Sequence, residues 1–146
     1  MRRDLGNGLE LDDAKSRIDR GEVHRFLSEV SYWAKDRPRA TQDRLIDEAS
    51  RVVGLYDGDR QIGFCRAFTD ALAVAYLADV YVLAEYRGRG LGEALVREMI
   101  EHGPYAELKW LLHTSDMHAL YRKLGFEEPG YKVMERRSTR NESDSG

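Results

Sequence analysis

The 146 residues contain one cysteine, three prolines and no apolar run approaching the length that spans a bilayer. A lone thiol, Cys65, cannot close an internal disulfide, which agrees with a reducing compartment. The opening Arg2-Arg3 has no apolar stretch behind it, so neither a secretory leader nor a membrane anchor is read there. The expected location is therefore the cytoplasm. Charge of one sign is also scarce, with a formal net charge of -3 against 34% charged residues. No long-range positive field exists to draw in nucleic acid or an anionic membrane, and neither is expected as a partner. The histidines His24, His102, His113 and His118 are scattered, without a Cys-x-x-Cys or His-x-x-x-His partner, so no metal site is expected.

What is present suffices for one core. At 42% hydrophobic residues a chain of this size builds a single domain, read here as residues 9–136 between flexible tails at 1–8 and 137–146. Val23, Phe26, Leu27, Val30, Trp33 and Ala34 recur at helical spacing until Pro38. A shorter helix follows Thr41, a candidate N-cap, with Leu45, Ile46 and Ala49 inward. Two β-rich runs flank Asp57-Gly58, a hairpin pair, and the run from Ala73 to Leu83 forms a third strand. A helix with Leu91, Ala94, Leu95, Met99 and Ile100 on one face ends at Gly103-Pro104. Beyond it the pattern predicts a short buried strand at 108–113, a helix over 117–123 capped by Asp116 and closed by Gly125, and a last strand at 131–137. The fold class is α+β, around a mainly antiparallel sheet with a strand-turn-helix at its centre.

That turn is Arg87-Gly88-Arg89-Gly90-Leu91-Gly92. A strand-to-helix junction presents unpaired N–H groups and the positive end of a helix dipole, which suits a phosphate oxygen. Glycines let the backbone approach a ligand, and the two arginines offer charge-assisted hydrogen bonds. The bland alternative is a solvated connector. Neither a P-loop nor a dinucleotide fingerprint fits, since no Gly-Lys-Ser/Thr follows and the spacing is not Gly-x-Gly-x-x-Gly.

Arg87-x-x-Gly90-x-Gly92 resembles the pyrophosphate loop of the GNAT superfamily of acyl-CoA-dependent N-acyltransferases, which reads Arg/Gln-x-x-Gly-x-Gly/Ala between a central strand and a helix. Leu120-Tyr121-Arg122-Lys123-Leu124-Gly125-Phe126 is similar to a second feature of that family, a helix ending in Tyr followed by Leu-Gly-Phe. Many relatives carry Asn seven residues before that Tyr, where this chain has Thr114. The resemblance spans nearly the whole folded region and implies a mixed, mainly antiparallel sheet with a splayed central strand. It also implies acetyl-CoA as acyl donor and direct attack by a primary amine, on a small molecule or a peptide, in a ternary complex. The N–H groups of residues 88–92 would hold the pyrophosphate, pantetheine would lie along 79–83, and a backbone N–H near Val82 would meet the developing oxyanion, with Val80 beside it on the strand. A homodimer is common among relatives.

Tyr121 is then the candidate acid for the leaving thiolate, since a phenol stays protonated at neutral pH. Its alternative is a core tyrosine on an amphipathic helix. Asp79 is read as a general base or anchor for the acceptor amine, against a structural carboxylate; strand alternation puts it on the face of Leu77 and Tyr81. Cys65, among Ile62, Phe64 and Ala67, reads as a small buried side chain. Tyr32 and Trp33 either grip an acceptor or complete the first helix's apolar face. A rival in another class is a non-catalytic acyl-CoA-binding module on the same fold.

Overall fold

In a computed structural model, described for residues 1–140, six strands form one sheet in sequence order: β1 (Arg2–Gly6), β2 (Leu9–Asp12), β3 (Arg51–Asp57), β4 (Arg60–Thr69), β5 (Val74–Val82) and β6 (Lys109–Leu111). All neighbours are antiparallel except β5 and β6, which are parallel. The helices are α1 (Arg20–Arg25), α2 (Arg39–Glu48), α3 (Leu91–Ile100) and α4 (His118–Lys123).

Helices cover both faces. Arg51 pairs with Ala67 across β3 and β4, and its guanidinium reaches the carbonyls of Glu98 and Met99, so that face carries α3. Arg66, one residue on, points the opposite way and meets Asp79, while Tyr81 stacks on Phe26 at 4.0 Å. That face carries the segment from α1 to α2. Between sheet and helices lies one continuous core, including Leu27, Ile46, Val53, Phe64, Leu95 and Met99. Buried Glu98 ties α3 to the sheet through Arg3 of β1 and Arg51 of β3.

Several expectations need correction. Residues 1–8 are not a tail: Asn7 (φ 56°) and Gly8 (φ 81°) make a two-residue turn whose left-handed backbone matches strand twist, and β1 pairs with β2 through it. The first helix does not run through to Ala34. It changes to a π-helical turn at Phe26–Val30 and then leaves helical geometry, the Ser31 hydroxyl donating to the Leu27 carbonyl. The second helix starts at Arg39 after Pro38, whose fixed φ suits a helix entry, so Thr41 lies inside it and is not its cap. Strand β6 has three residues and is half-exposed at the sheet edge. Helix α4 begins with no capping bond from Asp116; the Thr114 hydroxyl instead accepts from the N–H groups of Asp116 and Met117. Gly125 (φ 91°) does follow the end of α4.

The strand expected at 131–137 is absent. Gly130–Lys132 is a 3-10 turn, and the chain to Arg140 is irregular, with Tyr131 and Met134 at 96% and 94% exposure. Only Tyr131 and Val133 keep strand alternation before Met134 breaks it and three charged residues follow, so no apolar face exists to hold the segment on the sheet. Of the expected C-terminal tail, residues 137–140 are irregular and exposed, and 141–146 lie outside the described residues.

Candidate active site

Strand β5 keeps β6 as a neighbour only over Val74, Ala75 and Tyr76. From Leu77 to Val82 its backbone on that side pairs with no strand among the described residues, so the sheet opens into a V. On the β4 side the ladder breaks as well: Phe64 pairs with Tyr81 and Arg66 with Ala78, so Asp79 and Val80 together oppose Cys65. This is a β-bulge, and Asp79 takes φ 55° to make it. The central strand is thus splayed, as the sequence implied.

A cleft of about 480 Å³ fills the opening, lined by Tyr32 and Trp33 from the overhanging turn, Asp79 and Val80 from the bulge, Thr114 and Tyr121 from beyond β6. A wider groove of about 800 Å³, bordered by Tyr76, Trp110, Phe126 and Val133, shares His113, Thr114 and Tyr121 with it. Tyr121 therefore stands where two openings meet. Its ring is 7% exposed and packs edge-on to Phe126 at 5.6 Å. Burial pushes its phenol above the ordinary value of 10, so it keeps its proton across the physiological range.

Asp79 is 1% exposed and fully engaged. One carboxylate oxygen accepts from the Trp33 indole N–H at 2.9 Å; the other accepts from Arg37 Nη1 at 2.9 Å and Arg66 Nε at 2.6 Å. Burial by itself would raise its pKa, but the two guanidiniums outweigh burial and leave it lowered. A carboxylate so held is a weak base, which counts against the base reading. Asp79 and Tyr81 share the face that meets the 26–37 segment, but the bulge breaks strand parity: Leu77, paired with Ala67, lies on the α3 face and not with them. Arg37 and Arg66 went unnoticed in the sequence, where they stand 42 and 13 residues from Asp79 with no local motif to mark them.

His113 also lines the cleft. Its Nδ1 meets the Tyr76 hydroxyl and its Nε2 lies 2.7 Å from Glu135, so both ring nitrogens are occupied. Cys65 is buried, and burial pushes its thiol pKa up, which suits a packing residue and not a nucleophile.

At the far end of β5 the chain makes a 3-10 turn at Ala84–Tyr86 and enters residues 87–92. Arg87 Nε donates to the Val82 carbonyl at 3.1 Å, fastening the turn to the strand. Arg89 lies over the Tyr86 ring at 5.3 Å, and Tyr86 donates to Asp57 at 2.6 Å. Gly88 (φ 81°) and Gly90 (φ 75°) adopt left-handed backbone, and a Cβ on either would meet nothing within 4 Å. Gly90 caps α3; its carbonyl accepts the Ala94 N–H at 3.1 Å, and the N–H groups before Ala94 precede any intrahelical acceptor. The turn leaves open space at both glycines and stands at the positive end of a ten-residue helix. Among the described residues no group of three or more His, Cys, Asp or Glu is arranged to hold a metal ion, and no helix is long and apolar enough to cross a membrane.

A splayed strand that leads from a cleft into a Gly-rich turn and helix is the architecture the sequence resemblance implies, and comparison with known proteins specifies the family. Residues 48–128 match the model of the acetyltransferase (GNAT) domain. A candidate acetyltransferase of Gibberella zeae is 34% identical over 69% of this chain and 68% of its own length. An uncharacterised N-acetyltransferase of Porphyra purpurea is 30% identical over 81% and 72%. The crystal structure of a candidate GNAT-family acetyltransferase from Xanthomonas campestris pv. campestris superposes with a TM-score of 0.83 at 38% identity, over 89% of this chain and 93% of that one. The chain belongs to the GNAT acetyltransferase family.

Proposed function

We propose that this protein is an N-acetyltransferase that moves an acetyl group from acetyl-CoA to a primary amine, on a small molecule or a peptide, by direct attack within a ternary complex. The observation that carries this reading is the continuity of β5: the stretch freed from β6 runs from the cleft holding Tyr121 directly into the turn at 87–92. Acetyl-CoA supplies the thioester whose acetyl group is transferred. The protein's own residues do the rest. The N–H groups of Gly88 to Gly92, with Arg87 and Arg89 beside them, bind the pyrophosphate, and the unpaired edge around Val80 and Val82 receives the pantetheine as an added strand. A backbone N–H near Val82 faces the negative charge that develops on the carbonyl oxygen, worth about 3 kcal/mol to the barrier. Tyr121, buried and protonated, delivers its proton to the departing thiolate. With Asp79 held by three donors and both nitrogens of His113 engaged, the ammonium proton of the acceptor leaves to solvent in the open cleft.

The turn is tested by titrating acetyl-CoA calorimetrically into the wild type and Gly90→Glu. A Cβ at position 90 has space, so the substitution costs only the strain of a left-handed side chain, about 1–2 kcal/mol, and the fold survives. The added carboxylate faces the phosphates, and binding should vanish. Wild-type affinity in the variant would remove the turn from the donor site. Release of CoA thiol across a panel of primary amines then separates an enzyme from an acyl-CoA-binding module, which would bind and release nothing.

A further inference from the structure

Asp79 sits on the bulge of the strand assigned to the donor, and every hydrogen bond it accepts from another side chain comes from the overhang on its own face or from β4. Trp33 and Arg37 belong to the turn between the π-helical segment and α2, a stretch with no regular hydrogen-bonding ladder of its own. What holds it is a set of single bonds. Arg37 reaches Asp79 and the Gln42 carboxamide, its carbonyl meets His24 Nε2 at 2.8 Å, and the Tyr32 hydroxyl accepts the Ser115 N–H at 3.2 Å. Trp33 and Tyr32 pack edge-to-face at 5.0 Å and form one wall of the cleft. The Trp33 indole is fixed to the sheet through Asp79.

We infer that Asp79 is a positioning residue that couples the donor strand to the aromatic wall of the acceptor side: its carboxylate, carried on the bulge, sets where the Trp33 indole stands when β5 is occupied. The inference rests on acetyl-CoA binding along β5. The physical reason is leverage at a strained point. A ligand pairing with the free edge of residues 77–82 must fix the bulge, and any adjustment at Asp79 moves a carboxylate to which an indole and two guanidiniums are bonded. Because the cluster is buried, those bonds are not exchanged for water, and the motion passes to the turn. Seating the donor then shifts the already bonded wall through Asp79, so that the acceptor meets a wall placed by the donor.

The chain has two tryptophans, so Trp110→Phe leaves Trp33 as the sole indole reporter. In that background, acetyl-CoA is titrated by calorimetry and by Trp33 emission in the same samples. The expected result is a saturable emission change with the calorimetric midpoint. Asp79→Asn should still bind acetyl-CoA by calorimetry and lose the emission change. Should Asp79→Asn fail to fold, Asp79→Glu serves instead, because it keeps a buried carboxylate for Arg37 and Arg66 while displacing it from the Trp33 indole; it too should lose amplitude. An undiminished emission change in either folded variant overturns the coupling and assigns the signal to direct contact between ligand and indole. Binding without any Trp33 response in the parent overturns it as well. Absence of calorimetric binding in the parent overturns the donor reading itself, and the coupling with it.

Discussion

At Tyr121 the chemistry asked of the side chain and the environment given to it agree. Burial raises the phenol pKa, and a general acid must hold its proton until the thiolate departs. Tyr121→Phe should keep acetyl-CoA affinity and lower kcat by about 10²–10⁴-fold, the usual contribution of a positioned acid. The sign of the pH effect follows. A group needed in its protonated form is lost only as pH rises through its raised pKa, so this residue should impose no alkaline limb below pH 10, its ordinary value. A limb near pH 8 that disappears in Tyr121→Phe would contradict the assignment. Tyr121 was singled out as a candidate because Leu-Gly-Phe follows it; the pairing of Arg37 and Arg66 with Asp79 was not legible, since a buried guanidinium is recognisable only beside its carboxylate.

Among the elements, β4 and β5 meet at Gly63 with no room for a side chain. A Cβ there would lie 2.9 Å from the Tyr81 carbonyl and 3.1 Å from Leu55 Cβ. The obstructing atom is backbone, so Gly63→Ala must push β5 away just where it leads into Val82. The expected cost is about 1–3 kcal/mol, read as a lower midpoint in urea, with weakened acetyl-CoA binding. Unchanged stability would mean that the strand pair is looser than its ladder implies. The elements were unequally legible. The strand-turn-helix through Gly90 was read correctly in position, because periodicity switches from 2 to 3.6 at a run of glycines. Strand β1 was overlooked although Asn7-Gly8, the strongest hairpin pair, separates Leu5 from Leu9 and Leu11; the charges of Arg2, Arg3 and Asp4 hid it, as befits an edge strand that must stay soluble. The π-helical turn at Phe26–Val30 keeps the apolar spacing of an ordinary helix, so periodicity could not reveal it.

Across the whole molecule, buried and half-buried carboxylates tie the layers together. Asp12 meets Arg17 and the Ala14 N–H, Asp13 meets the N-terminus and Arg51, and Asp79 meets Arg37 and Arg66. Burial alone would raise each pKa, but these partners outweigh it and all three lie below the ordinary 3.8. A depressed folded-state pKa contributes stability that is present above the unfolded value and is lost as pH falls through the folded one. The urea midpoint should therefore be insensitive to these groups between pH 8 and 5 and should fall below pH 3.8. In Asp79→Asn the neutral-pH stability drops, by about 3–5 kcal/mol if the buried guanidiniums are left uncompensated, and the acid loss shrinks. An acid profile identical to that of the wild type would exclude Asp79 from it.

The sequence by itself determined the family, the mixed sheet and the position of the Gly-rich turn, because these depend on local periodicity and on residues adjacent in the chain. The tertiary structure alone decided the width of the cleft and the fate of Asp79. Whether a carboxylate takes protons or holds a wall depends on what surrounds it, and its partners Trp33 and Arg37 come from 46 and 42 residues away, across a bulge that no run of residue types announces.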